Sequence, residues 1–133
     1  MSCFLKSVLL IDDDEIDNII NTKIIKLNEF ADVIIVKQST EDALEYLFNE
    51  FNTNNKVPDL IFLDIRMPLM DGFDFLKAFN NLDENIKNKT KIIMLTSSID
   101  NGDFSHAKGD KNIFQIIKKP LSFESLNELR KKL

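Results

Sequence analysis

The sequence predicts a doubly wound α/β fold in which five parallel strands carry helices on both faces. Five short apolar runs alternate with segments whose apolar residues recur at helical spacing, without an internal repeat or linker. Two of the runs end directly in carboxylates, at Asp12 and Asp64. Because right-handed crossovers place the carboxyl ends of parallel strands at one edge of a sheet, these acids are candidates for a ligand site.

The first two pairs of strand and helix follow from apolar runs and capping residues. Residues 7–11 and 33–37 are predicted to form the first two strands. The helix after the first strand is indicated by apolar residues at helical spacing, namely Ile16, Ile19, Ile20, Ile24 and Leu27. Ser39 caps the next helix, whose predicted buried face consists of Leu44, Leu47, Phe48 and Phe51.

The remaining elements continue the alternation. Residues 60–63 are apolar throughout, which predicts a third strand buried on both faces. Asp71 and Gly72 form a turn before a helix whose core residues are Phe75, Leu76, Phe79 and Leu82. Residues 91–95 form the fourth strand, and a weakly amphipathic helix is expected over residues 100–108. The fifth strand, residues 113–117, precedes a last helix that Ser122 caps.

The composition excludes several classes of function. The 17 basic and 22 acidic residues give a net charge of −5, which disfavours binding to nucleic acid or to an anionic membrane surface. Three glycines are too few for a clustered phosphate-binding loop, and the single Cys3 excludes an internal disulfide. Since the sequence contains neither a secretory leader nor an apolar run that could cross a bilayer, we expect one cytoplasmic domain over residues 1–133.

Polar side chains follow four of the predicted strands. Asp12 and Asp13 follow the first strand, Asp64 the third, Thr96 the fourth and Lys119 the fifth. Three carboxylates held about 4 Å apart repel each other by several kcal/mol, which a hard divalent cation such as Mg²⁺ would relieve. Lys119 supplies a positive charge and Thr96 a hydroxyl donor for phosphoryl oxygens. Together these groups predict phosphoryl transfer to an aspartate.

In their order along the chain these residues resemble the receiver domain of two-component response regulators. The resemblance covers nearly the whole chain and consists of four motifs: Asp12-Asp13, Asp64 followed by Met67-Pro68 and Asp71-Gly72, Thr96-Ser97, and Lys119-Pro120. It implies a flavodoxin-like fold with five helices and strand order 2-1-3-4-5. The site would lie where the strand order reverses, between the first and third strands.

The resemblance also implies a role for each site residue. Asp64 would be the phosphoacceptor, and Thr96 and Lys119 would hold the phosphoryl group. The Mg²⁺ ligands would be Asp12, Asp13, Asp64 and the backbone carbonyl of Arg66, with Asp12 binding directly or through water. Asp14 and Glu15 are interpreted as acids of the helix start and not as ligands.

As a receiver, the chain would take a phosphoryl group from a sensor histidine kinase or a histidine phosphotransfer protein and later lose it to water. It would be a signalling phosphoacceptor that modifies itself, and not an enzyme with a separate substrate. Because the sequence ends within the last predicted helix, we expect no output domain and a signal that passes by contact with a downstream protein.

Two residues depart from the pattern of the family. Ile116 stands where receivers usually have an aromatic residue, three positions before the lysine, and Phe114 is a candidate substitute on the same strand face. Arg66 places a long cation two residues after the proposed acceptor, where we expect it to alter the lifetime of the phosphoryl group.

Two alternatives stay open from the sequence. One is an aspartyl-phosphate phosphohydrolase with Asp12 as its nucleophile, although no inserted segment would enclose a small substrate. The other is a receiver-like docking module that is never phosphorylated, although its acidic, hydroxyl and lysine positions are all intact.

Overall fold

Five parallel strands form one sheet in the computed structural model, which describes residues 3–65, 71–96 and 112–133. In chain order the strands are β1 (Leu5–Ile11), β2 (Ala31–Lys37), β3 (Leu60–Asp64), β4 (Lys91–Thr96) and β5 (Ile113–Lys118). They lie side by side in the order β2-β1-β3-β4-β5. The predicted flavodoxin-like, doubly wound sheet is therefore confirmed, including its strand order.

Helices cover both faces of this sheet. Within the described residues they are α1 (Glu15–Leu27), α2 (Thr40–Asn54), α3 (Gly72–Asn80), α4 (Glu84–Lys89) and α5 (Phe123–Lys132). Helix α4 has no counterpart among the predicted helices, because its six residues bury only Ile86 and show no amphipathic pattern. The helix predicted over residues 100–108 lies outside the described residues. None of the described helices is long and apolar enough to cross a membrane.

The hydrophobic core has two layers, one on each face of the sheet. All five residues of β3 are buried, and their side chains alternate between the two layers. Ile61 and Leu63 lie in the layer that α2, α3 and α4 cover, whereas Leu60 and Phe62 lie in the layer that α1 and α5 cover. Full burial of each such side chain contributes about 1.5–3 kcal/mol. The strand that ends in Asp64 is thus firmly anchored from both sides.

Helix α1 forms as predicted, but four of the five apolar residues that indicate it are exposed. Ile16, Ile19 and Leu27 are 68%, 59% and 66% exposed, whereas the polar residues Asn18 and Asn21 are buried. The spacing of these apolar residues therefore predicted the helix correctly but does not mark its buried side, where Ile25 lies with the two asparagines. The two asparagines face inward because both form hydrogen bonds to backbone groups next to the site, which are described below.

The predicted buried face of helix α2 is correct only in part. Ser39 caps the helix as predicted, since its hydroxyl accepts a hydrogen bond from the Asp42 N–H over 3.1 Å, and Leu47 is fully buried. Phe48, however, is 57% exposed. Adjacent helical residues point about 100° apart, so the residue after Leu47 lies beyond the buried stripe.

The turn into α3 brings Gly72 against the end of β3. The Gly72 N–H donates to the Ile65 carbonyl over 2.9 Å, and Asp71 caps the helix in a reciprocal capping box with Asp74. A Cβ atom at Gly72 would lie 2.7 Å from the Asp64 carbonyl oxygen and 2.9 Å from Ile65 Cα. Because both neighbours are backbone atoms, they cannot rotate away from a side chain, and glycine is the residue that fits.

We expect Gly72→Ala to lower the free energy of unfolding by about 1–3 kcal/mol, because the added methyl group would push the backbone at Asp64 and Ile65 out of place. Urea unfolding followed by circular dichroism measures this change. Glu45→Ala on the exposed face of α2 serves as the control, with an expected change below about 0.5 kcal/mol. Equal stability of Gly72→Ala and the wild-type protein would contradict the close approach.

Candidate functional site

Polar residues at the carboxyl ends of four neighbouring strands meet at one edge of the sheet, as predicted. Asp12 directly follows β1, Asp64 ends β3 and Thr96 ends β4. These three residues are buried, with exposed fractions of 0%, 5% and 4%. Lys119 follows β5, and its N–H donates to the Thr96 carbonyl over 2.7 Å. The sheet thus assembles one site from residues that are far apart in the sequence.

Three of the predicted acids form a close cluster. One carboxylate oxygen from each of Asp12, Asp13 and Asp64 lies within 4.8 Å of the others. Asp13 is exposed, whereas the other two acids are buried. At this separation each pair of charges repels by about 3 kcal/mol for an effective dielectric constant near 20. The cluster therefore needs positive charge close by.

Lys119 supplies positive charge from among three carboxylates. Its Nζ atom lies 2.7 Å from Asp12 Oδ2, 3.0 Å from Asp17 Oδ2 and 3.2 Å from Asp64 Oδ1. Burial alone would lower the pKa of this lysine. The hydrogen bonds to Asp12 and Asp17 and the charge of Asp64 outweigh burial and raise the pKa of Lys119 above its ordinary value. The ammonium therefore keeps its charge throughout the neutral pH range.

Asp17 is a site residue that the sequence motifs did not predict. It lies in the first turn of α1, its side chain is 38% exposed, and its carboxylate contacts Lys119. Its spacing contains a weak signal, because a residue four positions after Asp13 tends to lie on the same side of a helix start. An acid in the first helical turn is also typical of helices in general, so this signal alone does not distinguish a site residue.

Hydrogen bonds from α1 fix the acidic loop after β1. The Asp14 N–H donates to Asp12 Oδ1 over 2.9 Å, and Asp14 Oδ1 accepts from the Asp17 N–H over 3.0 Å, which caps α1. The side-chain amide of Asn18 donates to the Asp12 carbonyl over 2.8 Å. Both the carboxylate and the carbonyl of Asp12 are thus held in place, the carbonyl by a buried side chain of α1.

The same helix also holds the loop that follows Lys119. Asn21 is 1% exposed, and its Oδ1 accepts a hydrogen bond from the Leu121 N–H over 3.2 Å. The Lys119–Pro120 peptide bond between the lysine and this contact is cis. Helix α1 therefore contacts the loops that carry both Asp12 and Lys119, and it sets the distance between them.

The cluster has the donor set that a hard divalent cation requires. Asp12, Asp13 and Asp64 offer only carboxylate oxygens, which Mg²⁺ prefers over nitrogen or sulfur ligands. Lys119 contacts three carboxylates, and Asp13 adds a fourth to the cluster, so negative charge is in excess among the described residues of the site. The backbone carbonyl of Arg66, which was predicted as a further ligand, lies outside the described residues, as do Met67, Pro68 and Ser97.

Phe114 does not lie near the site. Thr96 pairs with Lys118 at the carboxyl end of β5, whereas the Phe114 ring lies 4.9 Å from Lys91 Nζ at the opposite end of the strands. The pairing of β4 with β5 is irregular at Phe114, because Ile92 pairs with Ile113 and Ile93 with Gln115. The alternation of side chains along β5 is therefore interrupted between Phe114 and Ile116. The predicted substitution of Phe114 for the missing aromatic residue is therefore not supported.

Comparison with known proteins finds similarity over almost the whole chain. A family model described as the response regulator receiver domain matches residues 8–131. The crystal structure of a two-component response regulator from Cytophaga hutchinsonii is 34% identical, with a TM-score of 0.88 and coverage of 96% of each chain. A response regulator receiver protein from Dyadobacter fermentans DSM 18053 is 25% identical, with a TM-score of 0.84 and coverage of 96% of each chain. A two-component response regulator from Legionella pneumophila is 26% identical, with a TM-score of 0.78 and coverage of 96% of this chain and 99% of that chain.

We expect Lys119→Met to lower the free energy of unfolding by about 3 kcal/mol in the absence of divalent ions, because it leaves Asp12 and Asp64 buried without their countercharge. Urea unfolding in the presence of a chelator measures the loss. Lys23→Met, on the exposed surface of α1, is the matched control and should change stability by less than about 0.5 kcal/mol. A Lys119→Met protein as stable as this control would contradict the role of the ammonium.

The pH dependence of the stability difference between wild type and Lys119→Met tests the raised pKa of Lys119. A lysine whose pKa is raised by folding contributes its full stability below the pKa of the unfolded chain, about 10.4, and loses it only as the pH rises through the higher folded value. The stability difference between wild type and Lys119→Met should therefore stay constant from about pH 7 to about pH 10. A difference that shrinks within this range would contradict the raised pKa.

Proposed function

Because this chain belongs to the family of response regulator receiver domains, we propose that it is a signalling phosphoacceptor that takes a phosphoryl group onto Asp64. One observation in particular supports this assignment: Asp64 lies at the end of a strand buried on both faces, with Lys119 Nζ 3.2 Å from its carboxylate and two further acids beside it. A carboxylate is thus presented to an incoming phosphoryl group together with a fixed positive charge.

The proposed reaction needs little from the protein beyond position and charge. A carboxylate oxygen of Asp64 forms a bond to phosphorus while the bond between phosphorus and the nitrogen of a phosphohistidine breaks. The imidazole keeps the electron pair and takes up a proton, and Asp64 becomes an acyl phosphate. In this proposal, the ammonium of Lys119 and the hydroxyl of Thr96 donate hydrogen bonds to the phosphoryl oxygens, on which negative charge is concentrated. Attack of water on phosphorus later releases inorganic phosphate and restores the carboxylate.

Mg²⁺ is the proposed cofactor of this reaction. Asp13 and Asp64 would bind it directly and Asp12 directly or through water, with the carbonyl of Arg66 as a further ligand. The oxygen-only donor set and the excess of negative charge around Lys119 support this choice. When bound, Mg²⁺ would neutralise charge on the carboxylates and on the phosphoryl oxygens.

The partners follow from the same proposal. The donor would be a sensor histidine kinase or a histidine phosphotransfer protein, and the phosphorylated receiver would pass the signal on through contact with a downstream protein. Residues 1–133 would act as one receiver domain in this exchange. Phosphorylation adds negative charge beside Thr96 and Lys119, which lie at the ends of β4 and β5. The surface near these strands would therefore change on phosphorylation, and the downstream protein would recognise that change.

Intact-mass measurement after incubation with acetyl phosphate and Mg²⁺ tests the assignment. The wild-type protein should gain one phosphoryl group, and Asp64→Asn should gain none, because the amide cannot act as the nucleophile. Asp59→Asn, at the other end of the same strand, is the matched control and should be phosphorylated like wild type. A wild-type protein without any mass gain would support a docking module that is never phosphorylated, and multiple-turnover release of phosphate from small phosphoesters would support a phosphohydrolase.

We expect Mg²⁺ to stabilise the protein through Asp12, Asp13 and Asp64. At a concentration ten times its dissociation constant, the ion should raise the free energy of unfolding by about 1.4 kcal/mol. Asp13→Asn should remove most of this gain, because it deletes an exposed ligand that the lysine does not contact in the described ion pairs. Thermal unfolding with and without Mg²⁺ measures the effect, and Asp42→Asn on α2 is the control. Equal Mg²⁺ responses of Asp13→Asn and Asp42→Asn would exclude the proposed ligand.

A further inference from the structure

We propose that Asp17 is a positioning residue that keeps the Lys119 ammonium beside Asp64 during phosphoryl transfer. This inference rests on the phosphoacceptor function proposed above. Asp17 belongs to none of the sequence motifs of the site, yet its Oδ2 atom lies 3.0 Å from Lys119 Nζ. It acts through the lysine and is not itself a catalytic residue.

A ring of hydrogen bonds links Asp12, Asp14 and Asp17 to Lys119, and the Asp17 carboxylate takes part in it through Lys119. The Asp14 N–H donates to Asp12 Oδ1 over 2.9 Å, and the Asp17 N–H donates to Asp14 Oδ1 over 3.0 Å. The Lys119 ammonium completes the ring by donating to Asp12 Oδ2 over 2.7 Å and to Asp17 Oδ2 over 3.0 Å. Asp17 takes part in the helix cap through its backbone N–H alone, so a change of its side chain leaves the cap in place.

The number of donors on Lys119 shows why the third carboxylate matters. An ammonium has three N–H donors, and the carboxylates of Asp12, Asp17 and Asp64 surround it. In the proposed reaction, Asp64 becomes bonded to phosphorus and Asp12 shares its charge with Mg²⁺, so both attract the ammonium less. Asp17 is not part of the three-acid cluster. It is therefore the carboxylate that keeps its full charge for Lys119 throughout the reaction.

Loss of this partner should affect the transfer step through the position of Lys119. As the Asp64 oxygen bonds to phosphorus and the leaving group departs with its electron pair, the ammonium must stay close to the phosphoryl oxygens. A lysine side chain has four rotatable bonds, and without Asp17 the ammonium is expected to spend less time in that position. Small displacements of a group that stabilises charge reduce the rate substantially.

Asp17→Ala and Glu15→Ala form a matched pair for the test. Both remove one acid from the first turn of α1, and Glu15 is exposed and is not among the described partners of Lys119. The rate of phosphorylation by acetyl phosphate with Mg²⁺, followed by intact mass, should fall about tenfold in Asp17→Ala, as is usual when a residue that orients a site group is lost. In Glu15→Ala it should change by less than about twofold. Asp17→Glu, which restores the charge, should recover a large part of the rate.

A second measurement observes the lysine without any phosphorylation. Ammonium protons of a lysine held by carboxylates exchange slowly enough to give a nitrogen-15 resonance, which Lys119→Met identifies by its absence. In Mg²⁺ without a phosphodonor, this resonance should be visible in wild type and Glu15→Ala and broadened beyond detection in Asp17→Ala. A merely structural role of Asp17 would instead disturb the backbone amide spectrum of α1.

Two results distinguish failure of the positioning role of Asp17 from failure of the proposed function. An unchanged Lys119 resonance in Asp17→Ala, together with a phosphorylation rate within about twofold of Glu15→Ala, would overturn the positioning role. If the wild-type protein gains no phosphoryl group, the proposed function fails, and the resonance comparison alone then decides whether Asp17 holds Lys119.

Discussion

The ion pairs between the Lys119 ammonium and three carboxylates are the interaction on which the rest of the site depends. They connect the end of β1, the end of β3 and the first turn of α1 to the loop after β5. Asp12 and Asp64 are buried, and a buried carboxylate without a countercharge is strongly destabilising. The parallel sheet brings these charges together, and the lysine makes their proximity tolerable.

These ion pairs leave negative charge in excess at the site. One ammonium balances only part of the charge of Asp12, Asp13, Asp17 and Asp64, and this excess of negative charge favours the divalent cation proposed above. Rigid parts of the fold limit how far the partners can move. Gly72 packs directly on the backbone of Asp64, and two buried asparagines of α1 hold the neighbouring loops.

Most of the sheet and most of the site could be predicted from the sequence, for physical reasons that particular residues illustrate. An apolar run such as that of β3 has few alternatives to a buried strand, and the residue that follows it must lie at the ligand-binding edge. This argument correctly located Asp12, Asp64, Thr96 and Lys119. It does not apply to helices: the spacing of isoleucines in α1 could not show that Asn18 and Asn21 are buried. Their partners are backbone groups, namely the Asp12 carbonyl in the loop before the helix and the Leu121 N–H 100 positions away. Asp17 was missed for a related reason, since its partner Lys119 is 102 positions away in the sequence.

The most direct test of the central claim is to locate the phosphoryl group on the chain. Borohydride reduces an acyl phosphate of aspartate to the alcohol of homoserine, and this change survives proteolysis and peptide mass spectrometry. After treatment with acetyl phosphate and Mg²⁺, we predict homoserine at position 64 and unmodified aspartate at positions 12 and 13. Homoserine at position 12, or an unmodified position 64 in a protein that has gained the mass of a phosphoryl group, would contradict the assignment of Asp64 as the acceptor.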